Sequence, residues 1–516
     1  MLDLDDIHRI YTRIKKDIAK AYQKGDIDKT IRLIDTYASV AQRINDIYRD
    51  DEIEKYIIKI AHTHIGVIDN PRIKNKNSKK IVFYDQIGTT ICLGVQYIQG
   101  LLENGYEILY IYESPYGTIR NNLLKLLQKE KNIEILLWDS TGNHIEKARE
   151  LRDKIASYGS NKLIIHSPAF GAFGAIVLST VPFITRYRIV PGDHHFYIGY
   201  DCTDFYLEFR NFGIQVALEK RKLSPDVLYK LPYYPLILEG IHFQGFPQEA
   251  KGKTVIVAAG AEYKFHGSDL FFEMCTRLLN EHPDVVILFI GDASEKINNY
   301  IRTKGLEGHF IPLGYRTDFS ECIKHADILF NSYPFPGGLI CQYAAYYSLP
   351  ILSYSEKEHS LNRSVRGLLG TEDTISPISY SDKKEFYAYA DKILKDKNYR
   401  YEEGKRMKSL LQTRECFTDL LGKILSHEHI PPSEILSQES DHEYRINYYL
   451  DLQNHFRIDI INPLLAVYGI RFLVIFSFLY PSLIQQKRYV IQRILNTYAK
   501  KTSPYFHNKL KHVLKK

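Results

Sequence analysis

From Lys79 onward the sequence alternates short apolar, β-rich runs with helix-length segments, and it does so twice. The first series runs "KKIVFYDQIG", the helical "ICLGVQYIQGLLENG" closed by Gly105, then "YEILYIY", "IEILLWD" and "KLIIHSP". The second starts at "KTVIVAAG" and continues through a helix near Asp269 to Asn280 and the strand "DVVILFIG". A helix near Glu295 to Lys304, "GHFIPLGY", a helix near Asp318 to His325, "DILFNSY", another helix and "PILSY" complete it. Strands that alternate with helices form parallel sheets, because each crossover helix must return the chain to the same edge direction. A proline-rich stretch, Pro232 to Pro247, separates the two series. The expected class is therefore α/β: two Rossmann-like domains facing each other across a cleft, over residues 76–245 and 250–430. Ligands of such sheets sit at the carboxyl ends of the strands, and the glycine-rich turns fall there.

Two flanks complete the chain. Residues 1–75 read as a helical extension, with one hairpin broken at Lys24-Gly25-Asp26 that resembles a single tetratricopeptide unit but lacks stacked copies. Its expected role is a brace on the next domain. Residues 431–516 form a helical, basic tail. A chain of 516 residues is too long for one core, so several units are expected on length alone. Six scattered cysteines without a CxxC pair argue against a zinc cluster and a disulfide framework and for a reducing compartment. The N-terminus has no apolar leader segment, so the expected location is cytoplasmic.

Three loops of the second series converge on one kind of ligand. "AAGAEYKFHG" offers Gly260 and Lys264, "LGYRTD" offers Gly314, Tyr315 and Arg316, and "PFPGG" opens a helix with Pro336, Gly337, Gly338 and Leu339. A helix N-terminus carries unpaired N–H groups and partial positive charge, which suits phosphate. Glycine lets an oxygen approach the backbone with no Cβ in the way. Convergent backbone donors and one lysine describe a diphosphate site.

The stretch "SYPFPGGLICQYAAYYSLPILSYSEKEHSLNRSVRGLLG" resembles the donor half of GT-B glycosyltransferases, closest to the O-GlcNAc transferase type and its bacterial protein-glucosylating relatives. The matching positions are Pro334-Phe335-Pro336, Ser348-Leu349-Pro350, Glu358 and Arg363, and "YKFHG" resembles the family's phosphate-binding lysine segment, which implicates Lys264. The resemblance spans roughly residues 250–370. It implies a nucleotide-diphosphate sugar as co-substrate and no resident cofactor. Where the family has hydroxyl residues at the helix start, this chain has Leu339 and Ile340; where it has the ribose-holding acid, Tyr343 stands. The paired glutamates of the large retaining type are Phe335 and Tyr343 here, so the expected mechanism is inverting.

An inverting transfer needs a base for the acceptor hydroxyl. "VPGDHHFYIGYDCTD" groups Asp193, His194, His195, Asp201 and Asp204 among aromatics. An aspartate beside a histidine orients its imidazole. Asp85, after the first strand, is the second candidate, and His166 a weaker one. The only Asp-x-Asp pairs, Asp3/Asp5 and Asp26/Asp28, lie in the helical extension, so no metal is expected.

The last segment is amphiphilic. "INPLLAVYGIRFLVIFSFLYPSLI" is apolar but broken by Arg471 and Pro481, and the 32 residues after it carry nine Lys/Arg and no acid. An interfacial helix and a polybasic tail on an anionic membrane surface are expected; no motif points to nucleic acid. The function expected is transfer of a sugar to a glycan, lipid-linked or protein acceptor, in bacterial surface-glycan synthesis. The rivals are a sugar epimerase of the same fold and a degenerate, transferase-like scaffold.

Overall fold

A computed structural model describes residues 2–69, 79–88, 93–113, 121–237, 240–356, 367, 369–370, 378–427, 442–456 and 460–469. Glu358, Arg363 and the basic tail lie outside the described residues.

The N-terminal layer is α1 (Leu4–Gln23), α2 (Ile27–Ile44) and α3 (Asp51–Ile60). Asp3 caps α1 by accepting from the Asp6 N–H, Asp26 caps α2 through the Lys29 N–H, and Asp28 accepts from the His144 N–H. Three of the four Asp-x-Asp carboxylates are thus occupied with backbone donors, the ordinary use of aspartate at helix starts.

The first sheet has seven parallel strands: β1 (Lys80–Asp85), β2 (Glu107–Glu113), β3 (Ile133–Trp138), β4 (Lys162–His166), β5 (Thr185–Ile189), β6 (Phe205–Glu208) and β7 (Leu228–Lys230), in the order β3-β2-β1-β4-β5-β6-β7. Between them run α4 (Leu93–Glu103), α5 (Asn121–Leu127), α6 (His144–Tyr158), α7 (Ala172–Ser179) and α8 (Asn211–Glu219). The segment 183–213 extends the sheet with β5, β6 and α8, but no helix separates β5 from β6, so the strand–helix alternation is interrupted there. Its first strand, "TRYRI", is disguised by buried arginines. Arg186 makes a two-pronged contact with Asp204 (2.8 and 2.9 Å), and Arg188 donates to Ser167 Oγ and the Ile198 carbonyl. Polar residues satisfied internally can line a core strand.

The second sheet has five parallel strands: β8 (Thr254–Ala259), β9 (Val285–Ile290), β10 (Phe310–Gly314), β11 (Ile328–Phe330) and β12 (Ile351–Leu352), in the order β10-β9-β8-β11-β12. "VVILFI" of β9 is buried along its whole length, as a strand covered on both faces must be. The crossovers are α9 (Leu270–Glu281), α10 (Glu295–Thr303), α11 (Phe319–Lys324) and α12 (Gly338–Tyr346), followed by α13 (Lys383–Lys395) and α14 (Lys397–Ser409). The strand order reverses between β8 and β11, so a crevice opens beyond their carboxyl ends.

The chain then returns to the first domain. In α15 (Arg414–Leu425), Phe417, Leu421, Ile424 and Leu425 are buried in the same core as Val95, Tyr97 and Leu101 of α4. Next, α16 (His442–Phe456) and α17 (Ile461–Tyr468) bury Ile446, Leu450, Ile461 and Leu464 against the N-terminal layer. The C-terminal region up to Gly469 is therefore part of the folded body. Among the described residues no helix is long and apolar enough to cross a membrane.

Candidate active site

A cavity of about 860 Å³ lies between the two domains. Of the residues singled out from sequence, His194, Gly260, Lys264, Tyr315, Arg316, Pro336, Gly337, Gly338 and Leu339 line it.

The floor on the second domain is built by glycines at three strand ends. The Gly291 N–H donates to the Gly314 carbonyl at 3.0 Å, and the Gly260 N–H to the Ile290 carbonyl at 3.1 Å. A Cβ at Gly291, whose φ is +148°, would stand 2.3 Å from the Gly260 carbonyl oxygen, so this close approach requires glycine. Gly314 itself supports the floor from behind. Beside it, a short 3-10 turn (Glu262–Phe265) anchors Phe265 in the core and turns Lys264 toward the crevice. Lys264 has no ion-pair partner among the described residues, and burial lowers the pKa of its amine. It sits 5.9 Å from the centre of the Phe335 ring.

Asn331 organises the turn into α12. Its Oδ1 accepts from the N–H groups of Ser332 (3.0 Å) and Gly337 (2.9 Å), while Ser332 Oγ donates to the Phe335 carbonyl. Gly337 has φ −95°, a value any residue can adopt. What needs glycine there is space: an added Cβ would lie 2.7 Å from Ile340 Cγ2 and 3.5 Å from the Lys264 amine. Tyr343 lines the cavity and donates its hydroxyl to the Leu236 carbonyl at 3.0 Å. It ties α12 to the interdomain connection, a different task from that of a ribose-holding acid. Arg316 is held by Asp318 (2.6 and 2.7 Å) and donates to the Gly245 carbonyl at 3.1 Å. It clasps the same connection, while Tyr315 is 84% exposed at the rim.

The opposite wall comes from the first domain. Asp193 is 1% exposed and accepts from Arg210 Nε at 2.6 Å, and its other oxygen lies 3.0 Å from His194 Nδ1. Burial would raise the Asp193 carboxyl, but the Arg210 guanidinium and His194 outweigh it and hold the group well below the usual carboxylate range. Burial, only partly offset by Asp193, lowers the pKa of His194. Nδ1 is occupied, and Nε2 has no protein partner among the described residues. His195 stacks edge-on against His194, with centroids 4.2 Å apart, and does not line the cavity; burial pushes it well below its ordinary value. Behind this loop the fully buried Arg221 donates to the carbonyls of Asp193 (2.8 Å) and His195 (2.9 Å).

Asp85 lies elsewhere. It sits at the end of β1, where it accepts from the Ile87 and Gly88 N–H groups and from the Tyr110 hydroxyl, and lies 3.1 Å from His166 Nδ1. Burial alone would raise its pKa; His166 and these donors lower it. All its lone pairs are engaged in a buried network, and neither Asp85 nor His166 lines the cavity. Asp201 and Asp204 also lie outside the lining, and Asp204 serves Arg186.

Sequence reading missed the part supplied by α16. Arg445 lines the cavity, Tyr449 stacks on His194 at 6.2 Å, and Tyr448 stacks on Phe335 at 6.0 Å. Tyr448 also donates to the Tyr263 carbonyl at 2.8 Å. Arg210, Phe212 and Asn331 were missed too; only an aspartate-rich loop looking for a cation could have signalled Arg210.

The arrangement is a deep cleft with backbone donors and a lysine on one wall and a carboxylate-held imidazole on the other. The same architecture recurs in solved structures. A mutant of the O-GlcNAc transferase of Thermobaculum terrenum aligns with a TM-score of 0.50 at 12% identity, covering 86% of this chain and 82% of that one. This chain has the GT-B fold. The Anabaena protein HepE, solved with UDP and glucose, aligns at 13% identity over 67% of this chain and 98% of its own, with a TM-score of 0.47. A protein of Listeria monocytogenes described as a UDP-N-acetylglucosamine 2-epimerase aligns at 11% identity over 70% of this chain and 100% of its own, with a TM-score of 0.48. No protein-family model matches the sequence, and no curated protein matches it.

Proposed function

We propose that this GT-B chain is an inverting, metal-independent glycosyltransferase that moves a sugar from a nucleotide-diphosphate sugar to a hydroxyl of a glycan, lipid-linked or protein acceptor. One observation carries the reading: the Lys264 amine lies against Gly337 at the start of α12, across the cleft from the Asp193–His194 pair. The diphosphate would sit on the α12 N-terminus and Lys264. His194 Nε2 would take the proton from the acceptor hydroxyl as its oxygen attacks the anomeric carbon. The bond to the diphosphate breaks on the opposite face, which inverts the configuration. Asp193 keeps Nδ1–H pointed at itself and steadies the imidazolium that forms. Lys264 and the helix N-terminus meet the charge that develops on the leaving group, which supports a reaction without a metal. Of the candidate bases Asp193, His194, His195, Asp85 and His166, His194 is the one that both lines the cavity and keeps a ring nitrogen available.

The setting we propose is a cytoplasmic protein attached peripherally to the membrane and working in surface-glycan synthesis. The nine basic residues beyond Ile484 and the absence of acids among them support that attachment.

The test is incubation with a panel of sugar nucleotides, with and without EDTA, followed by proton NMR. Release of the nucleoside diphosphate together with a sugar of inverted anomeric configuration, unchanged by EDTA, is expected. An epimerised sugar nucleotide would overturn transfer in favour of epimerisation. Failure to bind any nucleotide would leave a scaffold.

A further inference from the structure

Arg445, on α16, is 3% exposed and lines the cleft on the wall that carries His194 and Phe212. Its Nη1 donates to the Tyr48 hydroxyl at 2.7 Å, and its guanidinium lies 5.2 Å from the centre of the Phe212 ring. Its Nε is buried with no hydrogen-bond partner among the described residues, and no carboxylate among them lies within ion-pair distance. The other two guanidinium groups that line the cavity each face an acid, Arg210 with Asp193 at 2.6 Å and Arg316 with Asp318 at 2.6 Å, and Arg221 behind the wall has Glu208 at 3.6 Å.

A guanidinium cannot shed its proton inside a protein. A buried charge with no counterion is strongly unfavourable. A chain that keeps one beside a cavity is therefore incomplete until an anion arrives. The diphosphate already has its own cation and helix N-terminus, which belong to the opposite domain. Arg445 acts instead on the imidazole side, since its charge is among those that depress the pKa of His194. The planar fork of arginine fits carboxylate and phosphate oxygens in pairs.

We propose that Arg445 seats a carboxylate or phosphate group carried by the transferred sugar or by the acceptor, beside the reacting centre and apart from the diphosphate. This rests on the donor-site reading above. It makes the protein selective for charged glycans, and it explains why α16 reaches back into the cleft.

Titration calorimetry on the full chain tests it in three arms. The first measures UDP, GDP and dTDP with the wild type, Arg445→Gln and Arg445→Lys. The second compares UDP-glucuronate with UDP-glucose. The third compares methyl glucuronide and glucose 6-phosphate with glucose, with the tightest nucleoside diphosphate already bound. The expected result is a preference of roughly tenfold or more for the anionic probe in the second or third arm. That preference should be lost in Arg445→Gln and partly kept in Arg445→Lys, while the nucleoside diphosphate binds all three proteins within about twofold. A preference in the second arm assigns the anion to the donor sugar; in the third, to the acceptor. No preference in the wild type, a measurement that needs no variant, overturns the proposal. So does a roughly tenfold loss of nucleoside diphosphate affinity in a folded Arg445→Gln, which would make Arg445 a diphosphate ligand. If no nucleoside diphosphate binds the wild type, the donor-site reading itself falls.

Discussion

The amine of Lys264 lies 3.5 Å from the point where a side chain on Gly337 would begin. A lysine and a bare helix start thus share one small volume, and nothing among the described residues neutralises the lysine. Replacing Lys264 with Ala should weaken nucleoside diphosphate binding by about 1.5–3 kcal/mol, the range of a charge-assisted contact, or tenfold and more in Kd by calorimetry. An unchanged Kd would remove Lys264 from the site.

Gly337→Ala isolates the space at the helix start. The backbone there already has an ordinary φ, so the substitution brings no left-handed strain. The nearest atom met by the new methyl is the branch methyl Cγ2 of the buried Ile340, whose β-branched side chain is stiff in a helix, so the turn or Ile340 must shift. Ala is also a poorer N-cap than Gly by up to about 1 kcal/mol, so the melting temperature should fall, and affinity is read well below the new midpoint. Nucleoside diphosphate affinity should fall at least tenfold, because the methyl stands where the phosphate oxygen approaches. A large loss of Tm with affinity retained in the folded fraction would mean that the glycine serves the turn alone.

The Asp193–His194 pair predicts a pH profile. As a base, His194 works only when neutral, and its pKa is lowered from the ordinary 6.5. Turnover should therefore be level around neutrality, and its acid limb should have a midpoint below 6.5. In Asp193→Asn the orienting carboxylate is gone, so kcat should drop sharply while nucleoside diphosphate Kd stays the same. An acid limb centred above 6.5, or full activity of His194→Ala, would rule out this imidazole.

The second-domain wall of the cleft was legible in the sequence because its signals are local. A strand, a glycine turn and a helix start lie within a few residues of each other, so Lys264 and Gly337 could be proposed from spacing alone. The first-domain wall of the cleft was legible only in part. The aspartate and histidine of 193–194 are adjacent, but Arg210 comes from the next strand end and Arg445 from a helix about 250 residues away. No periodicity links such positions. Asp85 misled for the opposite reason: a carboxylate at a strand end looks the same in sequence whether it faces a cleft or caps its own turn.

The N-terminal layer also holds the loop that follows His194 and His195. Glu54 of α3 accepts from the N–H groups of Gly199 (2.8 Å) and Tyr200 (3.1 Å), and Asn45 accepts from that of Phe196 (3.0 Å). Burial raises the Glu54 carboxyl to about 7 despite these donors. Its folded value thus exceeds its unfolded one, so the native state binds the extra proton between about 4.3 and 7. Stability from this group is full below that window and declines as pH rises through it, by up to about 1.4 kcal/mol per pH unit. Glu54→Gln removes the titration. Its stability relative to wild type should improve from pH 5 to about pH 7 and level off above that in urea unfolding, and a constant difference across the range would show that Glu54 keeps an ordinary pKa.

The position of a C-terminal cut decides whether it reports on membranes or on folding. Ile461 and Leu464 of α17 are buried beside Ile34 and Tyr37 of α2, so a cut at 461 removes part of the N-terminal layer's core. Deleting two buried aliphatic residues costs several kcal/mol, at about 2–5 kcal/mol for each large-to-small change. A cut after Gly469 leaves that packing and Arg445 in place and removes only the apolar run and the basic segment. Each Lys or Arg near an anionic surface contributes about 1 kcal/mol. The chain ending at 469 should therefore melt close to the full-length protein, keep its nucleoside diphosphate affinity, and no longer float with vesicles containing phosphatidylserine. The full-length chain should float at low salt and less at high salt. Equal flotation of both chains would move the membrane contact to the folded body.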